Sequence, residues 1–210
     1  MLLNRRTALG ALAAAALVRP AAAQPCCGPI TPAGQRIIEL LDSSDVERLW
    51  IAGERVGWAT GQPLPSEPDM PRGHSHCSAY VAAMADRLAI YILRPPEHGQ
   101  ILLANAQGAW LAAAKGGWRP VAGYAAAQAA ANAGQFVVAS YINPDRRKAG
   151  HIAVIRPSDK DAASLAANGP DEAQAGTHNY SRTDLRTGFR YHPGAFDRGL
   201  IRCYAHDVPA

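Results

Sequence analysis

The chain has 210 residues with a formal charge of +4, 48% of them hydrophobic and 18% charged. Arg5, Arg6 and Arg19 supply three of the positive charges from within residues 1–23, which hold no acid. The rest of the chain is therefore nearly neutral and lacks the clustered basic face that nucleic-acid binding needs. No apolar run reaches the roughly 20 residues of a membrane-spanning helix, so stable membrane insertion is not expected, and the length suits one domain with a real core.

Residues 1–23 read as an export signal: a short charged start, an apolar run from Ala8 to Val18 and a small-residue end at Ala21-Ala22-Ala23. Arg5-Arg6-Thr7-Ala8-Leu9 resembles a twin-arginine signal, with the ordinary secretory route as the alternative. Either route makes the mature protein periplasmic or secreted. The mature chain holds four cysteines: Cys26, Cys27, Cys77 and Cys203. In an oxidising compartment some should pair. Vicinal cysteines pair with each other only under strain, and chain termini often meet, so the expected bond joins Cys203 to Cys26 or Cys27. Cys77 is then a free thiol; a bond at Cys77 is the alternative.

Residues 24–69 hold an N-terminal helix and a loop. Ile37, Ile38, Leu40, Leu41, Val46 and Leu49 have helical spacing, broken at Asp42-Ser43-Ser44. The Gly- and Pro-dense stretch after them reads as a loop anchored by Trp50 and Trp58. The core spans residues 70–210. Apolar or aromatic residues recur at Tyr80, Val81, Met84, Leu88, Tyr91 and Ile92, predicting a helix of about four turns from Cys77 to just before Pro95-Pro96, with Ser75 as N-cap. Two further helices are expected in "HGQILLANAQGAWLAAAKG" and "AGYAAAQAAANAG". Then "QFVVASYI" and "HIAVIRP" read as an antiparallel hairpin, followed by the loop "SDKDAASLAANGPD", a third strand near "EAQAGTHNY" and a last one at "GLIRCYAH". Helices first and strands afterwards predict an α+β domain, its N-terminal helices packed on a small antiparallel sheet.

Cys77 falls in the first turn of its helix, where the helix terminus and a protonated imidazole would both lower a thiol pKa. Of the seven histidines, His151 opens a strand directly after Gly150 and is rigidly placed. Alternation puts His151, Ala153 and Ile155 on one face, expected to look at the Cys77 helix with the small Ala153 leaving room. Taken alone, each residue has an ordinary reading: a buried small residue for Cys77, a structural or solvated imidazole for His151. His74, His76 and Cys77 also suggest a metal cluster. They lack the second spaced pair of a four-ligand zinc site, so neither metal nor cofactor is expected. Trp58, Trp110 and Trp118 read as core or groove-wall residues.

The segment "HCSAYVAAM" resembles the Asp-Cys-Ser-Gly-Phe-Val helix start of the NlpC-type cell-wall peptidases, and "GHIAVI" their Gly/Arg-His-Val-Gly-Ile strand. "EAQAG" falls where they carry a third residue in a pattern like Phe-Ile-His-Ala-Ser. The related CHAP-type amidases and peptidases often place an Asn-aromatic pair on that strand, as in "THNY". The resemblance covers about residues 70 to 205. It implies a papain-like fold and a cysteine hydrolase, peptidase or amidase, acting on an amide bond of peptidoglycan. It makes Cys77 the nucleophile, His151 the general base and Gln174 the group that orients the imidazole, with Asn179 the competing orienter. Two positions depart from the pattern: His76 stands where Asp precedes the cysteine, and Gln174 where His, Glu or Asn is usual. A neutral amide can still accept the ring N–H and fix the tautomer. The rival readings are a non-catalytic wall-binding or scaffold module and a thiol-dependent acyltransferase.

Overall fold

A computed structural model describes residues 26–65 and 75–209; the expected export signal, His74 and the end of the Gly/Pro-rich loop lie outside the described residues. In chain order the elements are α1 (Pro32–Asp42), α2 (Cys77–Arg87), α3 (Leu103–Ala112), β1 (Arg119–Val121), α4 (Gly123–Asn132), β2 (Phe136–Tyr141), β3 (His151–Ile155), α5 (Ala162–Asn168), β4 (Asp171–Ala175), β5 (Asn179–Asp184), α6 (Leu185–Gly188) and β6 (Arg202–His206). The fold is α+β: among the described residues, six helices and one six-stranded sheet ordered β1-β6-β2-β3-β4-β5, antiparallel throughout.

Several elements differ from the sequence expectation. α2 ends at Arg87, and Ala89 at φ 54° leads the chain out of the helix. Its N-cap is His76, not Ser75, and no side chain caps it. The expected loop after β3 contains α5, whose start is fixed by Asp161 accepting from Ser164 N–H. The expected single third strand is a hairpin, β4 and β5, turning at residues 176–178, so Gln174 and Asn179 sit on different strands.

β2, β3 and β4 are buried along their whole lengths, as strands covered on both faces should be. One face, with Phe136, Val138, Ile152, Val154, Ala173 and Ala175, packs on α2 together with Ile37, Leu41 and Trp50. The other, with Val137, Ala139, Tyr141, Ala153 and Ile155, packs on Ala127 and Ala131 of α4 and on Leu185 and Phe189. This corrects the expected orientation of β3: Ile152 and Val154, not Ala153 and Ile155, meet α2. The register Tyr141↔His151 and Ser140↔Ile152 fixes it, since paired residues share a face. α2 is buried from Cys77 to Ala85 because the N-terminal segment wraps its outer side.

The cysteine pairing also differs. Cys26 is bonded to Cys27, while Cys77 and Cys203 are free and buried. Cys203 projects from the middle of the sheet into the layer beneath α4, whereas Cys26 donates its N–H to Lys160 O at 3.3 Å beyond the end of β3. The two places are separate, and the adjacent thiol is the partner within reach. Among the described residues no helix is long and apolar enough to cross a membrane.

Asn179 clamps the two halves of the chain. Its side-chain amide donates to Val46 O at 2.7 Å and Leu49 O at 2.8 Å, holding the turn after α1 against β5. Asn179→Ala is expected to lower the unfolding free energy by about 1–3 kcal/mol in urea denaturation, because the carbonyls of Val46, Leu49 and Trp50 lose this donor. An unchanged midpoint would contradict this.

Candidate active site

The antiparallel ladder between β3 and β4 is short. It joins Val154 to Ala173 and Ile155 to Glu172, and beyond Val154 the strands part. A register shift in the β4–β5 pairing, between Glu172 and Gln174, accompanies the parting. Side chains take over where the backbone stops pairing. His151 Nε2–H donates to Gln174 Oε1 at 2.5 Å, with both residues buried. Gln174 in turn donates its Nε2 to His178 O at 2.9 Å, which forces its oxygen toward the imidazole. His151 therefore carries its proton on Nε2 and keeps a lone pair on Nδ1.

Cys77 reaches the same place from the other side. It is the first residue of α2, and its thiol accepts the backbone N–H of Ile152, the residue after His151, and interacts with the side chain of Ser75 and the N–H of Ser78. Thiol and imidazole thus meet β3 one residue apart, from opposite faces; among the described residues no hydrogen bond joins them directly. His76 turns its Nε2 to Glu54 O at 2.9 Å, tying the N-terminal loop to the start of α2. Asn179 clamps the turn after α1 and does not contact His151.

Charge is disfavoured throughout. Burial pushes the Cys77 thiol up, outweighing the N–H donors that pull the other way. Burial likewise pulls His151 down to about 4 against the opposing pull of Gln174, roughly 3 kcal/mol against the imidazolium. The expected thiolate beside a protonated imidazole is thus corrected. The resting pair is a neutral thiol and a neutral imidazole, because helix start and hydrogen bonds together do not offset the lost solvation.

Sequence reasoning misses four neighbours. The Phe189 ring meets His151 edge-on at 4.6 Å between centroids, and His192 stacks on it at 5.3 Å. Gly188 of α6 lies directly over Gln174, and Glu172 is fully buried beside it. Only Glu172 leaves a signal: a charged residue two positions before Gln174 shares its face by alternation. Nothing in "TGFRYHPG" marks the others. Among the described residues no group of three or more His, Cys, Asp or Glu is placed to hold a metal ion. In comparisons with known proteins, no family model matches the chain, and no curated protein does.

His151 supplies a direct test. With its folded pKa near 4, below the ordinary 6.5, the unfolded chain binds the extra proton between those values. Its contribution to stability is therefore lost as pH falls from 6.5 toward 4. NMR of ring-labelled protein should show His151 as the neutral Nε2–H tautomer at pH 6, titrating only near pH 4. A midpoint near 6.5 would contradict this geometry.

Proposed function

We propose that the chain is an exported, papain-like cysteine hydrolase that cleaves an amide bond of peptidoglycan, acting in the periplasm or after secretion. The observation that carries this reading is the His151–Gln174 hydrogen bond, which leaves Nδ1 as the base, with the Cys77 thiol of α2 at the backbone N–H of the next residue, Ile152, on the other face of β3. The choice of peptidoglycan draws on the resemblance of the Cys77, His151 and Gln174 segments to the NlpC- and CHAP-type enzymes and on the export signal.

In the proposed reaction the thiol leaves the Ile152 N–H and passes around the edge of β3, open where β4 has parted from it, to reach His151 on the other face. Such contacts are often loose without substrate and tighten in the complex. Cys77 Sγ attacks the amide carbonyl carbon as its proton passes to His151 Nδ1, while Nε2–H stays on Gln174. The backbone N–H of Cys77, unpaired within α2 as the first residue of a helix, faces the developing oxyanion. The tetrahedral species expels the amine, which takes the proton from Nδ1 and leaves a thioester on Cys77. Water then attacks the thioester, with His151 as base, releasing the acid and restoring the thiol. Because the resting pair is neutral, proton transfer accompanies attack instead of preceding it.

One observation favours a second reading, a wall-binding module without turnover. Cys77 and His151 are each only 4% exposed and are not bonded to one another. Incubation of the mature protein with purified sacculi, with released fragments identified by mass spectrometry, separates the two. The hydrolase reading expects muropeptide release that Cys77→Ala abolishes and His151→Ala slows by about 10²–10⁴-fold. Undiminished release by a folded Cys77→Ala protein would refute it, and sedimentation with sacculi without release would establish the binding module.

A further inference from the structure

Glu172 is the one fully buried carboxyl among the described residues for which neither oxygen has a hydrogen-bond partner. Leaving a carboxylate in that condition costs several kcal/mol, and the group becomes neutral instead. It lies on β4 two residues before Gln174, facing the same side of the sheet. Gly188 shows how close the two side chains come. A β-carbon at position 188 would lie 1.9 Å from Glu172 Oε1 and 3.0 Å from Gln174 Oε1, so the two oxygens are no farther apart than those distances laid end to end. Two bare acceptors buried within that distance repel. A carboxylic acid instead offers a donor to the amide oxygen, which has a second lone pair free beside the one His151 uses.

We propose that Glu172 is a neutral acid whose O–H donates to Gln174 Oε1, making it a positioning residue for His151. The Gln174 amide is then held at three points: its oxygen between Glu172 and His151, its nitrogen on His178 O. An amide so held cannot flip, and the imidazole it faces keeps its Nε2–H tautomer. Gly188 is part of the same device, because a β-carbon at position 188 would collide with Glu172 Oε1 and displace the acid. Burial raises the Glu172 acid well above the usual carboxylate range, with Asp184, Asp171 and Cys77 adding to the rise. The functional meaning rests on His151 being the base of the proposed hydrolase; the hydrogen bond itself does not.

Two substitutions test it. Glu172→Gln keeps a donor toward Gln174, whereas Glu172→Met keeps the volume and removes the donor. The infrared difference between wild type and Glu172→Gln at pH 7 should contain the C=O stretch of a protonated carboxyl; a carboxylate band there would overturn the proposal. In ¹⁵N NMR, wild type and Glu172→Gln should hold His151 as the Nε2–H tautomer, and Glu172→Met should show a mixture without a lower melting temperature. Turnover of sacculi by Glu172→Met should fall about tenfold with KM unchanged, the worth of one hydrogen bond, and Glu172→Gln should restore it. A pure Nε2–H tautomer in Glu172→Met would also overturn the proposal. If wild type cuts no sacculi while the infrared and tautomer results hold, the positioning role stands and the hydrolase reading falls. Should Glu172→Met fail to fold, the difference between wild type and Glu172→Gln decides: the protonated C=O stretch should lie at the lower frequency of a hydrogen-bonded acid, and a stretch at the frequency of a free acid would overturn the proposal.

Discussion

The site depends on the hydrogen bond between His151 and Gln174, and that bond exists because β3 and β4 stop pairing before β3 reaches its first residue. Had the ladder continued past Val154 and Ala173, Ile152 N–H would be committed to β4. The parting leaves that N–H open, and the thiol of Cys77 fills the place of the missing strand. The side chains of His151 and Gln174 close the gap on the opposite face. One interruption of the sheet thus collects thiol, imidazole and orienting amide at a single point of backbone.

The surroundings make this arrangement rigid at the expense of charge. Phe189 holds the edge of the His151 ring, His192 covers its face, and Tyr141 lies 5.1 Å from His192 in turn. The Gln174 hydrogen bond fixes the tautomer, and burial disfavours charge on the Cys77 thiol, the His151 imidazole and the Glu172 carboxyl alike. His192 is drawn down to about 4 by its own burial and by His151. In the proposed hydrolase such surroundings favour concerted proton transfer between neutral partners over a standing ion pair, and the entry of substrate, with its own dipoles, would lower the cost of charge.

Much of the fold is legible in the sequence, for reasons that differ by residue. β2 and β3 announce themselves as short Val- and Ile-rich runs, and α4 as an alanine-rich one. The α+β class comes from the order of elements. The His151–Gln174 pair is legible only through the resemblance, since a lone glutamine carries almost no signal. The facing of β3 is not, because alternation says which residues share a side and not which layer covers that side. Both sides here are apolar, so the pattern gives no direction. α5 escapes because its seven residues come after a charged, loop-like run and contain one buried residue, Leu165. Strain alone argues against the Cys26–Cys27 bond, and the sequence does not reveal that Cys203 is enclosed beneath α4. Phe189, Gly188 and His192 contribute through tertiary proximity, which no local pattern encodes.

The central claim is that Cys77 becomes acylated with His151 as the base that makes attack possible. It is tested most directly by acid-quenching the mature protein during reaction with peptidoglycan fragments and mapping the modified peptide by mass spectrometry. The account expects a thioester-linked peptide on Cys77 in the wild-type protein, absent in His151→Ala at the same time point. Turnover without any acyl adduct on Cys77, or equal acylation of Cys77 in His151→Ala, would contradict it.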